Sequence, residues 1–113
     1  MRGDPLGARA IDRNRLLLDF VLRAVADDYE SFELVVEQAT EWSKKRGFVP
    51  SRAEIAGALR RRILEKYIQS YLLSPHLPYS QKVEFDPGRI GELWFYLTPK
   101  GKNLVSSLVK LWA

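Results

Sequence analysis

Cysteine is absent from the chain, histidine occurs once, and no long hydrophobic run interrupts a sequence that is 28% charged. Each absence removes a class of chemistry. Without cysteine there are no disulfides, no thiolate metal sites and no cysteine nucleophile, which fits a reducing compartment. His76 stands alone in a proline-flanked loop, so a zinc site has no ligand set and the residue reads as surface. No glycine-rich phosphate loop and no nucleophile elbow is present. No apolar stretch approaches the roughly 18 residues that span a bilayer, and the N-terminus lacks the basic-then-apolar layout of a signal peptide. The expectation is a cytoplasmic protein with no membrane association, no metal, no cofactor and no enzymatic activity.

What is present is enough apolar material for one core. Of the 113 residues, 46% are hydrophobic and three are tryptophan, which suits one compact domain and not two. Residues 1–8, with two glycines and a proline, read as a flexible tail, and residues 9–113 as a single domain. Arg2-Gly3-Asp4 spells an adhesion tripeptide, a chance match in a chain without a secretion signal.

The net charge of +4 is unevenly spread. Residues 1–43 hold five basic and nine acidic residues, whereas residues 44–66 hold eight basic and two acidic. Such a concentration of positive charge is what a nucleic-acid footprint needs. The plainer alternative is that an acidic helix and a basic helix neutralise each other across the fold.

The sharpest local signal lies at the centre of that basic segment. Ser51 and Glu54 have the spacing of a capping box, and Pro50 discourages a helix from running into it. Ile55, Leu59 and Ile63 recur every four residues and give the helix an apolar face. The 100° turn per residue then places Ala53, Gly57, Arg60, Arg61 and Leu64 opposite. This face of small residues and arginines suits a close approach to a phosphate backbone; a solvated face with arginines for solubility is the bland reading. The helix is expected to end near Glu65. Tyr67, Ile68, Tyr71, Leu72 and Leu73 follow and suit a strand.

Ahead of this segment, a helix is expected from Ala10 to about Ala26. Its apolar residues cover more than half its circumference, so it must bury more than one face, and a second protomer is a natural partner. A second helix is expected from about Glu30 to Arg46. Asp27 or Asp28 would cap it, and Gly47 would take the left-handed conformation that terminates it. Leu34, Val35, Gln38, Ala39 and Trp42 form its buried stripe. Glu30, Glu33, Glu37 and Glu41 read as dipole partners and solvated face rather than as a metal or catalytic set. Behind the central helix, Lys82-Val83-Glu84-Phe85 alternates as a short strand, and Asp86-Pro87-Gly88 is a turn. Leu93 to Leu97 is the strongest strand. Trp94 and Tyr96 should face away from Leu93, Phe95 and Leu97, to form a stacking platform or, the plainer role, to pack against the first helix. Thr98 caps a closing helix with Pro99 at its first position.

Two short stretches carry a resemblance. Glu54-Ile55-Ala56-Gly57-Ala58-Leu59 through Tyr67-Ile68 looks like the third helix and following strand of the bacterial winged helix-turn-helix domain. Trp94-Phe95-Tyr96-Leu97-Thr98-Pro99-Lys100-Gly101-Lys102 is similar to that family's last wing strand and its Leu-Thr-x-x-Gly-(Lys/Arg) lead into the final helix, as in multiple-antibiotic-resistance and phenolic-acid-responsive repressors. The resemblance implies a mainly α fold with a small antiparallel β wing, ordered helix-helix-helix-strand-strand-helix. Two residues depart from the pattern. Arg62 stands where the family usually has a core leucine and must snorkel outward or find a buried carboxylate. Lys66 stands where the family usually has the glycine after the helix, where a left-handed conformation strains any other residue.

The function implied by the resemblance is double-stranded DNA binding by a transcriptional regulator. Residues 51–65 would be the recognition helix in the major groove, and residues 67–97 the wing on the neighbouring backbone. Arg52, Arg60 and Arg61 would contact phosphates or guanine edges, with Gly57 allowing close approach. Lys82 and Arg89 would contact phosphates from the wing, and Lys44, Lys45 and Arg46 would steer the encounter. A homodimer through residues 11–26 and 102–112 is expected. The competing reading is a protein-interaction winged helix without a DNA role, because fold does not fix function.

Overall fold

The computed structural model describes residues 5–109, with side chains from residue 13 onward. Helix α1 (Pro5–Ala24) is followed by a two-residue strand β1 (Glu30–Ser31) and helix α2 (Phe32–Lys44). Helix α3 (Arg52–Leu64) leads into β2 (Ile68–Leu73) and β3 (Ser80–Val83). A 3-10 helix (Pro87–Glu92), strand β4 (Trp94–Leu97) and helix α4 (Pro99–Leu108) complete the fold. The protein is mainly helical, with one four-stranded antiparallel sheet in the order β1-β4-β2-β3.

Local chemistry explains most boundaries. Ser51 is extended, its hydroxyl accepts from the Glu54 amide, and the Glu54 carboxylate accepts from the Ser51 amide, so the capping box forms. Thr98 caps α4 by accepting from the Gly101 amide, with Pro99 at the first helical position. α2 departs from expectation. Its cap is Ser31, whose hydroxyl accepts from the Leu34 amide, and neither Asp27 nor Asp28 caps it. Asp28 instead accepts from the Tyr29 amide next to it. The delay frees Glu30 and Ser31 to pair with Phe95 and Trp94 as β1. At the other end, α1 begins at Pro5, so residues 5–8 of the expected tail are helical. Residues 1–4, the Arg2-Gly3-Asp4 tripeptide among them, and residues 110–113 lie outside the described residues.

α2 and α3 end in the same hydrogen-bond pattern. After α2, the Gly47 amide donates to the Lys44 carbonyl and the Phe48 amide to the Ser43 carbonyl, with Gly47 at φ +88°. After α3, the Lys66 amide donates to the Ile63 carbonyl and the Tyr67 amide to the Arg62 carbonyl, with Lys66 at φ +66°. Both are Schellman closures, which need a left-handed residue. Glycine supplies it freely; an L-residue with a side chain does so at about 1–2 kcal/mol.

The core joins three helices to one face of the sheet. Leu17, Val21 and Leu22 of α1, Val25 just after it, Val35 and Ala39 of α2, Ile55 and Leu59 of α3, and Ile68, Phe95 and Leu97 of the sheet form one buried cluster. The described part of α1 thus buries its wide apolar girth inside its own chain, against α2 and α3. Along β4, Leu93, Phe95 and Leu97 point inward, while Trp94 and Tyr96 point out. Tyr96 joins Tyr29 at 5.1 Å, and Tyr29 meets Tyr71 edge-on at 4.9 Å. The aromatic contact of α1 is Phe20 with Trp42, at 5.8 Å.

Arg62 resolves its dilemma by finding partners. It is 8% exposed. Its Nε donates to the Leu18 carbonyl at 3.1 Å, Nη2 to Asp19 at 3.2 Å, and Nη1 to Glu65 at 3.4 Å. A guanidinium thus pins α3 to α1 where leucine would only pack. Burial pushes the Asp19 carboxyl above its ordinary value, against the pull of Arg62 and Arg15. The geometry is that of an ion pair, yet desolvation outweighs attraction, as it does for many buried pairs. The ionised Asp19 therefore costs the fold something, and that cost is relieved as pH falls through its raised pKa.

The start of α4 presses on the end of α3. The Thr98 amide donates to the Tyr67 carbonyl at 3.0 Å and its hydroxyl to the Lys66 carbonyl at 2.6 Å. A Cβ on Gly101 would collide with the Tyr67 carbonyl oxygen. The obstacle is backbone, which cannot rotate aside.

Gly101→Ala is therefore expected to lower the stability of the fold by about 1–3 kcal/mol, the usual cost of overpacking, measured by urea unfolding. Asp19→Asn, which keeps an acceptor for Arg62 and drops the desolvated charge, should stay within about 1 kcal/mol of wild type. Asp19→Ala should lose about 1–3 kcal/mol by stranding a buried donor.

Candidate nucleic-acid interface

The central helix turns its charged side outward. Ile55 and Leu59 are fully buried and Ile63 is half-buried, while Ala53, Gly57, Arg60, Arg61 and Leu64 are exposed. Apart from its chain neighbours and the backbone of its own helix, Gly57 has no atom within 4 Å of where a Cβ would lie. Packing therefore does not demand glycine there, although glycine inside a helix costs about 0.5–1 kcal/mol relative to alanine.

Beside this face opens a cleft of about 970 Å³ between α3, the β2–β3 hairpin and the start of α4. Arg60 and Lys66 reach it from α3 and its closing turn, Lys82 and Glu84 from the hairpin, and Lys100 from α4. Ile63, Leu64, Val83 and Phe85 supply its apolar lining. The cations are not equivalent. Lys100 donates to the Glu65 carbonyl at 2.8 Å and lies 4.5 Å from the Tyr67 ring, so it is spent on the α3–α4 junction. Arg60, Lys66 and Lys82 have no carboxylate within ion-pair distance among the described residues.

The other sequence-predicted residues are distributed differently. Arg61 stays on the outer face of α3, with Glu65 3.8 Å away. It borders a shallow hollow of about 260 Å³ that also includes Gly57, Asn14 and Leu18. Arg52 is bound by Glu33 of α2 through two hydrogen bonds, one of 3.0 Å from Nη1 to Oε2. That contact is the cross-fold neutralisation weighed above, and it applies to Arg52 but not to Arg60. The hydrogen bond holds the Glu33 carboxyl below its ordinary value and raises the Arg52 guanidinium. Lys44 sits 3.7 Å from Glu41, and Lys45 and Arg46 border a separate pocket with Phe20, Arg23 and Trp42. Arg89 is paired with Glu92 at 2.9 Å on the 3-10 helix, which packs against α2 and does not line the cleft. The structure thus gathers Arg60 and Lys82 at the cleft, keeps Gly57 and Arg61 beside it, and leaves Arg52, Lys44, Lys45, Arg46 and Arg89 elsewhere.

Lys66 and Lys100 belong to the cleft and were not among the expected site residues. Lys66 carried a signal, because the winged-helix resemblance leads to glycine being expected there. Lys100 carried none beyond its place after Pro99.

No protein-family model matches the chain, and a search of curated proteins finds no match. Among the described residues, no group of three or more histidine, cysteine, aspartate or glutamate side chains is placed to hold a metal ion, and no helix is long and apolar enough to cross a membrane. What the cleft offers is positive charge over an apolar floor. That chemistry suits reversible capture of an anion.

Because Arg52 lowers the Glu33 pKa, the pair contributes above the ordinary glutamate range and is lost as pH falls through the lowered value. In Arg52→Gln, the Glu33 carboxyl should titrate higher than in wild type, nearer 4.5, as read by carboxyl NMR. An unchanged titration would mean that the two side chains do not meet in solution.

Proposed function

We propose that this chain is a winged helix-turn-helix DNA-binding protein that works as a cytoplasmic transcriptional regulator, with residues 51–65 as recognition helix and residues 67–97 as wing. The observation that carries the reading is the coincidence of two features on one surface. The exposed side of α3 and the hairpin beside it border a single cleft, and three of its four cations, Arg60, Lys66 and Lys82, have no carboxylate within ion-pair distance among the described residues. Charge without an internal partner is held ready for an external one, and a phosphate backbone is a partner of matching sign.

The sheet supports the fold assignment. β1 lies between the first two helices in sequence and pairs with β4, which pairs with β2. This arrangement is compatible with a winged helix, with a short strand joining the wing to the helices. β3 is an addition along the outer edge of β2, and it brings Lys82 to the cleft. In this reading Arg60, Arg61 and Gly57 approach the major groove, Lys82 meets the backbone, and Arg52 is held back by Glu33.

We propose a homodimer as well, to match a two-fold operator. Its support now comes from α4, where Leu104, Val105 and Leu108 are only half-buried and Val109 is 52% exposed. The described part of α1 has its partners within the chain.

The protein-interaction reading draws on a different observation. The hairpin tip holds out Leu77, 78% exposed, and Tyr79, 61% exposed, and exposed apolar groups close together mark contact surfaces. One titration separates the two. Three phosphate contacts predict that affinity for a duplex falls about 40-fold between roughly 50 and 200 mM salt, as followed by fluorescence anisotropy. Arg60→Glu combined with Arg61→Glu should abolish that binding while leaving thermal unfolding near wild type. Binding indifferent to salt, or none at low salt, rejects the DNA reading.

A further inference from the structure

We infer that Lys66 keeps its left-handed backbone in order to carry a phosphate-binding ammonium into the cleft, an inference that rests on the DNA-binding reading. The chain closes two successive helices by the same motif. It uses glycine after α2, where φ is +88°, and lysine after α3, where φ is +66°. The glycine solution was thus within reach of this fold, and at the second closure a costlier residue stands in its place. Strain of this kind persists where the surroundings over-determine the backbone and the side chain has another task.

Both conditions are met at residue 66. Its amide is held by the Ile63 carbonyl, and its own carbonyl accepts from the Thr98 hydroxyl at 2.6 Å. On its flanks the Glu65 carbonyl accepts from Lys100 and the Tyr67 carbonyl from the Thr98 amide. The backbone is therefore clamped by α4, while the Lys66 side chain is exposed at the cleft with no carboxylate in reach among the described residues. Arg60 and Lys82 border the same cleft. Glu84 is the acidic residue on the lining, and it pairs with none of the three. A lysine on a clamped turn brings a point charge to the cleft on a flexible stem. It suits a phosphodiester oxygen rather than a base edge, where the planar fork of arginine is the better reader.

The test compares the full chain with Lys66→Gly, Lys66→Asn and Lys66→Arg, using a fluorescein-labelled mixed-sequence DNA duplex across a range of salt concentrations, together with thermal unfolding. Lys66→Gly should raise Tm, bind the duplex several-fold more weakly, and flatten the slope of log K against log salt by about 0.9, the loss of one phosphate contact. Lys66→Asn, which tolerates the left-handed backbone without charge, should show the same binding loss. Lys66→Arg should retain the wild-type slope. If wild type binds and Lys66→Gly binds with equal affinity and slope, the inference falls and the DNA reading stands. A Lys66→Gly protein less stable than wild type would overturn the strain argument, and a wild type that ignores the duplex at every salt concentration would overturn both.

Discussion

Ile55 and Leu59 are fully buried in one cluster with Leu17, Val21 and Phe95, and their spacing fixes how α3 is rotated about its axis. At 100° per residue that rotation dictates which side chains face out. Arg62, on the buried side, reinforces it by reaching the Leu18 carbonyl and Asp19 on α1. A helix held by apolar packing alone can roll by part of a turn at modest cost, whereas a guanidinium held by two acceptors on α1 loses both if α3 rolls. An arginine at this buried position thus sharpens orientation at some expense in desolvation.

The second constraint is the junction between α3 and α4. The Tyr67 carbonyl, the Lys66 carbonyl and the Glu65 carbonyl each accept a hydrogen bond from the Thr98–Lys100 segment. Tyr67 precedes β2 and Thr98 follows β4, and β2 and β4 pair with each other, Ile68 against Leu97. The same few residues therefore close a helix, begin a strand, end another strand and start a helix. Gly101 belongs to this junction because α4 can approach so closely only without a side chain there. The cleft is built on the junction, so its walls are set by backbone hydrogen bonds, while its charged lining is side chain.

Signals confined to a few neighbouring residues were legible in the sequence. Ser51 with Glu54, Thr98 with Pro99, Gly47 after α2, and the alternation of Trp94 and Tyr96 with Phe95 and Leu97 all act within one turn of helix or one strand. The exposed side of α3 followed from the period alone. What escaped depended on distant partners. β1 has two residues, too few for any periodicity, and it exists because β4 lies beside it. Arg52 and Arg60 look alike in sequence, yet Glu33, nineteen positions away, engages only the first. The apolar girth of α1 suggested a second protomer; which part of it packs on α2 and α3, with Leu17, Val21 and Leu22 buried, is a matter of topology that composition does not encode. Lys100 joined the cleft for the same reason.

The sheet ends on both sides in short strands. β1 offers two residues at one edge, and β3 offers four at the other, with Gln81 and Lys82 exposed. An unpaired strand edge is a template for adding further chains, and a brief edge bearing a lysine is a poor one. The appended β3 therefore shields the longer six-residue β2 from intermolecular strand addition. A hairpin so arranged can project from a small domain without seeding fibrous aggregates at the concentrations of a crowded cell.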